Sequence, residues 1–492
     1  MLFNSYAFIF LFLPLLLLCG KLAGLYGASA LSIVLLIFSV VFYGLWGLPF
    51  LCLLAAVICV NYAIGLALAR SSAGPRKGLL AIALALNLAP LVWFKYSGFL
   101  AQNLAAFLPI GQNFTAPGLP LGISFYTFIQ IAWLVGVYRR QIQPEGLARH
   151  ALFSSFFPYV ISGPIVRYEQ MGPQFDVMSG VTSEGLARGF ALFSMGLAKK
   201  VVIADSIAVY ANAVFSAAEK AWPVTGAEAW LGSLCYTFQL YFDFSGYTDM
   251  AIGIGLMLGL HLPENFLSPY KSTGIVDFWR RWHVTLGVWL RDFLYIPLGG
   301  NRRGRLIQYR NLFLTMLIGG AWHGAGWTFI VWGALHGAML CVNHFFRARI
   351  KGSPLEETLS RLPFRLFFIA LTFFCLNFCW VVFRSVSIEG AGRMYRAMFA
   401  GPLAADGAGG TLSGLLCHHY FQDWQAFFLL ALSAAIVWCL PNSHEIFFGR
   451  KDGGAVRPAF RPTGWWAAGL ALLAFASLTL LSRQSVFLYF QF

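Results

Sequence analysis

The chain has 492 residues, 59% of them hydrophobic and only 11% charged, with a formal net charge of +15. Together with a mean hydropathy of +0.70, this excludes an ordinary soluble domain, in which about 25% of residues are charged, and points to a polytopic membrane protein. The basic residues gather in loop clusters, Arg70/Arg76/Lys77, Arg139/Arg140, Arg302/Arg303/Arg305, Arg347/Arg349/Lys351 and Arg450/Lys451. That pattern suits positive-inside anchoring against an anionic cytoplasmic leaflet and argues against nucleic acid as a partner.

The N-terminus carries no basic residue before Lys21 and no convincing small-residue cleavage site, so the first helix is expected to be retained. Apolar stretches recur near 5–20, 28–46, 49–69, 78–98, 118–138, 186–204, 225–261, 310–345, 364–383, 423–441 and 463–482. They predict an all-α membrane protein of about 11 to 13 passes, with some segments re-entrant or interfacial. No polar stretch is long enough for a separate soluble core. Residues 1–115 read as N-terminal scaffold helices, with Trp93-Phe94-Lys95-Tyr96 at an interface. Residues 116–345 collect the polar signal and form the working region, and 346–492 read as C-terminal scaffold.

Within 236–249 two carboxylates and several hydroxyls fall in a predicted membrane helix, with Gln239, Asp243 and Tyr247 at i,i+4 spacing on one face and Tyr241 and Ser245 beside them. Burying Asp243 in hydrocarbon costs roughly 2.5–3.5 kcal/mol on insertion scales. This face should therefore line a cavity or meet a cation, for which Arg280 and Arg281 are the nearest candidates. For Asp243 and Asp249 an ion pair fixing helix packing competes with direct chemistry.

Residues 275–293 place Ile275, Phe278, Trp279, Trp282, Leu286, Trp289 and Phe293 on one face of a helix, with Asp277 and Arg281 as an i,i+4 pair and His283 on the flank. Such a Trp-rich basic helix suits the membrane interface.

The run 319–337 puts His323 and His336 inside an apolar segment. Gly319, Gly320, Gly324 and Gly326 permit close approach around His323, and Trp322 and Trp327 flank it. Imidazole, titrating near neutrality, is the side chain best suited to take a proton from a hydroxyl, which makes His323 a candidate base. His336 lies 13 residues on, about 20 Å in a continuous helix, and reads as structural or interfacial. The nine cysteines show no metal-ligand pairing. Cys417-His418-His419 is the nearest approach to a metal cluster but lacks a second half, so no metal is expected. There is no Gly-x-Ser-x-Gly elbow, Walker loop or dinucleotide fingerprint.

These motifs, in order, resemble the membrane-bound O-acyltransferases, and within them the bacterial branch that acetylates exported polysaccharides such as alginate and cellulose. The resemblance runs along most of the chain. It rests on Met1-Leu2-Phe3-Asn4-Ser5, Leu121–Phe125, Gly163–Tyr168, Gly196–Asp205, Gln239–Tyr247, Asn265-Phe266 before Pro269-Tyr270, Asp277–His283, Trp322-His323-Gly324 and Tyr489–Phe492. It implies one membrane domain over 1–492, with helices around a central tunnel in which a cytosolic acyl thioester meets an acceptor from the opposite side.

The family's essential histidine maps onto His323 and a second functional histidine onto His283. Asn265, Gln239, Tyr241, Asp243, Ser245, Tyr247, Trp279, Arg280, Arg281, Trp322 and Trp327 would line the tunnel or substrate path. One departure is Gly136, where relatives carry Asp. The resemblance further implies acetyl-CoA as donor with no bound cofactor, and an exported polysaccharide as final acceptor. The acetyl group would pass through a periplasmic partner acetyltransferase at the bacterial inner membrane, in contact with membrane lipid. D-alanyl transfer from a carrier protein and non-catalytic transport are the alternatives.

Overall fold

The computed structural model describes residues 1–71, 73–105, 114–178, 180–400, 420–421, 423–450, 454, 456–481 and 488. Every regular element among them is helical. In chain order the principal helices are α1 Phe8–Gly24, α2 Ala28–Gly44, α3 Leu48–Arg70, α4 Arg76–Leu104, α5 Ile123–Tyr138, α6 Ser183–Glu219 and α7 Gly226–Met257. They continue with α8 Ile275–Trp279, α9 Val284–Leu290, α10 Arg305–His323, α11 Trp327–Ile350, α12 Leu362–Arg384, α13 Gln425–Cys439 and α14 Gly464–Leu480. Five of these, α3, α4, α6, α11 and α12, are long and apolar enough to cross a membrane, and α1, α2, α5, α13 and α14 are shorter apolar helices.

Contacts gather the chain into two compact units, one built from Met1–Leu197, Tyr247–Pro263 and Pro462–Leu481, the other from Ala198–Gly246, Glu264–Arg461 and Ser482–Phe492. In the first, Phe3, Phe8, Phe12, Phe42 and Phe157 form an aromatic cluster, with Phe42 and Phe157 centroids 5.0 Å apart. The Asn61 and Asn87 side-chain amides exchange hydrogen bonds of 2.6 and 3.0 Å between α3 and α4. Such pairing satisfies polar groups that hydrocarbon cannot. Gly136 of α5 faces Ile142, and a Cβ there would lie 2.3 Å from Ile142 Cδ1 and 3.5 Å from Glu169 Oε1. The Asp expected from the resemblance would therefore collide with Ile142 and approach a carboxylate, so this chain's glycine and Ile142 are mutually adapted.

The second unit is organised by buried rings of Tyr270, Phe278, Trp282, Trp332, Trp380 and Phe383. Thr237 donates to Asn377 (2.7 Å) and Asn377 donates to Ser233 (3.0 Å), tying α7 to α12 through satisfied polar groups. The apolar run 310–345 is not one helix. It breaks at Gly324–Gly326 into α10 and α11, which pack antiparallel. Glycines allow this approach: a Cβ on Gly320 would sit 2.4 Å from Phe329 O, and one on Gly333 would sit 2.5 Å from Met316 O. The expected amphipathic helix over 275–293 is also interrupted, because His283 adopts φ +42° in the left-handed region and divides α8 from α9.

Candidate active site

His323 is the last residue of α10 and is buried, 5% exposed. Trp322, Trp332 and Phe383 meet its imidazole edge-to-face, with centroids at 4.9, 5.0 and 5.3 Å. The α10–α11 turn thus delivers the histidine into a cage of aromatic rings, where low polarity strengthens any charge developing beside it.

The same turn changes the reading of His336. The 20 Å separation holds only for a continuous helix, whereas across the hairpin one ring, Trp332, touches both imidazoles, at 5.0 Å from His323 and 4.5 Å from His336. Trp279 Nε1–H donates to His336 Nδ1 at 3.2 Å. Because indole can only donate, the neutral His336 ring carries its proton on Nε2, and that buried atom finds no hydrogen-bond partner among the described residues. Trp279, His336, Trp332 and His323 therefore form a file of rings. Its outer member, Trp279, lines a cavity of about 490 Å³ whose walls include Arg280, Gly287, Arg291, Met316 and Leu340.

His283 is fully buried against Phe244, ring centroids 4.8 Å apart. Its Nδ1 lies 3.0 Å from Asn265 Oδ1, an oxygen that also accepts from Thr285 N (3.3 Å) and Thr285 Oγ1 (2.9 Å). Since that oxygen is an acceptor, Nδ1 donates and Nε2 is left as the ring's acceptor atom, the tautomer a base requires. Asn265 O also accepts from Val284 N at 3.0 Å, so this one residue holds both the ring and the strained backbone of His283. His283 and His323 share no ring neighbour among the described contacts.

Asp243 does not meet Arg280 or Arg281. Its cation is Lys200, at 2.7 Å, which also binds Asp205 at 2.6 Å, while Leu488 N donates to the other Asp243 oxygen at 3.1 Å. Lys200 and Asp243 are 2% and 1% exposed. Sequence spacing does not point to Lys200, because it stands on α6 and Asp243 on α7 and only packing faces the two helices' side chains together; the motif Gly196–Asp205 was the one hint of it. Arg281 pairs with Asp277 at 2.9 Å, as the spacing predicts, and Arg280 is exposed.

The remaining candidates divide. Gln239 is 5% exposed with Oε1 unpartnered, and Ser245 is 1% exposed with Oγ unpartnered among the described residues. Tyr241 packs into the aromatic core beside Tyr270 (5.5 Å) and Phe266 (6.0 Å). Tyr247 belongs to the first unit, where it stacks on Phe3 at 4.9 Å, and Asp249 is also there, 8% exposed. Trp327 opens α11 at 55% exposure and is not among His323's described ring neighbours. Trp332 and Phe383, which do cage His323, carried no signal beyond apolar periodicity. Cys417-His418-His419 and Tyr489–Phe492 lie outside the described residues.

The buried histidine, its aromatic cage and the glycine hairpin fall within a region, residues 38–387, that matches the membrane-bound O-acyltransferase family. The chain belongs to that family. This membrane-bound O-acyltransferase is 43% identical to the probable alginate O-acetylase of Pseudomonas syringae pv. tomato, over 81% of this chain and 75% of the relative. It is 39% identical to the probable alginate O-acetylase of Pseudomonas putida, with both chains covered in full. It is also 37% identical to the peptidoglycan O-acetyltransferase of Helicobacter pylori, over 100% of this chain and 98% of the relative. The protein is thus a multi-pass membrane acyltransferase.

Proposed function

We propose that this enzyme moves an acetyl group from a cytosolic thioester, acetyl-CoA, through the bacterial inner membrane for O-acetylation of an exported polysaccharide. A periplasmic partner acetyltransferase is the proposed relay to the polymer. The full-length likeness to relatives named for alginate and peptidoglycan O-acetylation supports an acetyl group and a glycan hydroxyl.

The observation that carries the mechanism is the placement of His323 at the α10–α11 turn inside its ring cage. A thioester is already activated, so the reaction needs proximity and a base. In the proposed step His323 takes the proton of the acceptor hydroxyl, whose oxygen bonds to the thioester carbonyl carbon. The C–S bond then breaks, and the departing thiolate recovers the proton from the imidazolium. His283, oriented by Asn265, is the proposed second functional histidine.

The test is acetyl-CoA turnover by purified protein in nanodiscs, with a polysaccharide or glycan acceptor and with or without the partner. His323→Ala should lower turnover at least 10³-fold, roughly 4 kcal/mol of barrier, while its unfolding temperature stays near wild type. Wild-type protein that cleaves no acetyl-CoA under any of these conditions, yet transfers D-alanine from a carrier protein, would replace the donor. Solute movement without thioester cleavage would replace the reaction class.

A further inference from the structure

A second cavity stands apart from the one beside Trp279. About 670 Å³ in volume, it lies between the C-terminal end of α11, the start of α12 and the segment 271–281. Five cations border it, Lys271, Arg281, Arg347, Lys351 and Arg365, against two carboxylates. Both carboxylates are engaged internally, Asp277 by Arg281 at 2.9 Å and Glu356 by the Gly352 N–H at 2.7 Å. Arg347, Lys351 and Arg365 make no ion pair with any described residue and are exposed.

Two further observations point to an occupant with both phosphate and apolar parts. Phe346, Ile350, Leu359 and Phe368 supply apolar wall between the cations. Asn343 also lines the cavity, and its buried side-chain oxygen has no hydrogen-bond partner among the described residues. Burial foremost, with Arg450 and Arg281 nearby and Glu445 opposing, holds the Lys271 ammonium below its ordinary range. An arriving anion would relieve much of that cost.

We propose that this cavity binds a phosphate ester, with Arg347, Lys351 and Arg365 as its phosphate ligands and Phe346 and Phe368 holding the adjoining apolar group. Unpaired guanidinium groups in a fixed concavity are the recognition chemistry of phosphate. The phosphate has two sources, the nucleotide end of a CoA-type donor or the headgroup of an anionic phospholipid. The first rests on the proposed donor and the second does not. Fifteen residues of α11 separate Arg347 from Trp332, the ring against His323, which is about 22 Å of helix rise. A phosphopantetheine arm spans a gap of that order. The cavity also touches the segment that presents Trp279 to His336, since Asp277 and Arg281 form part of its wall.

The experiment uses full-length protein in nanodiscs. Binding of free CoA is titrated against 3′-dephospho-CoA in phosphatidylcholine discs, and retention of phosphatidylglycerol against phosphatidylcholine is read by native mass spectrometry. Arg347→Gln/Arg365→Gln should weaken one of the two ligands at least tenfold with no change in unfolding temperature, and Arg347→Lys/Arg365→Lys should retain most of the affinity. Selective loss of CoA identifies the donor as the source, and selective loss of phosphatidylglycerol identifies lipid. Unchanged affinity for both in the glutamine variant overturns the proposal. His323→Ala should keep CoA affinity while losing turnover, so a failed donor assignment and a failed phosphate site give different results.

Discussion

His283 shows how much one partner can decide. Its ring sits in a family motif, but its tautomer and its left-handed backbone both depend on Asn265, 18 residues upstream. Asn265→Ala should cost about 1–3 kcal/mol of stability, because it strands buried donors. It should also lower kcat about tenfold, equivalent to 1.4 kcal/mol of barrier, with KM little changed. Thermal unfolding and steady-state kinetics check the two effects separately. A fall in stability with unaltered kcat would make Asn265 a packing residue alone.

At the level of elements, the α10–α11 hairpin is the device that makes the site. Its tip brings His323, Trp332 and His336 within one ring of each other, and Gly320 and Gly333 set the helix separation. Gly333→Ala places a Cβ 2.5 Å from a backbone carbonyl that cannot rotate away. Overpacking of this kind costs about 1–3 kcal/mol, and scanning fluorimetry in detergent should show the lowered unfolding temperature together with reduced turnover. The link between α6 and α7 is electrostatic. Lys200→Met leaves Asp243 buried without the ammonium that lies 2.7 Å from it, a loss of about 3–5 kcal/mol for a broken buried pair. Adding Asp243→Asn to that variant should recover part of the stability, as chemical denaturation would show.

Across the whole molecule, charge and hydropathy set the topology. The positive-inside rule predicts that the five basic clusters read from the sequence face the cytoplasm. Cysteine substituted at Lys77, Arg140, Arg303, Lys351 or Lys451 should react with a membrane-impermeant thiol reagent only after the inner membrane is opened. Labelling of intact spheroplasts at any of these positions would reverse the local orientation. The α10–α11 hairpin then has its basic base, Arg302–Arg305 and Arg347–Lys351, on the cytoplasmic side. His323 lies at its far tip, about 27 Å of helix rise away. That separation suits the proposed transfer from a cytosolic donor toward the periplasm.

The sequence alone determined the membrane class, the helical fold and the family, because hydropathy, charge placement and ordered motifs are local properties that survive without coordinates. It also singled out His323, and the Asp277–Arg281 pair followed from helical spacing. The break at Gly324–Gly326, the sharing of Trp332 by two histidines, the Asn265 lock on His283 and the Lys200–Asp243 pair were decided only by tertiary structure. Each joins residues on different elements, and an apolar run carries the same pattern whether its helix continues or turns back on itself. A buried carboxylate likewise demands a cation but does not say which one. The packing of α6 against α7 chose Lys200 over the arginines nearer His283.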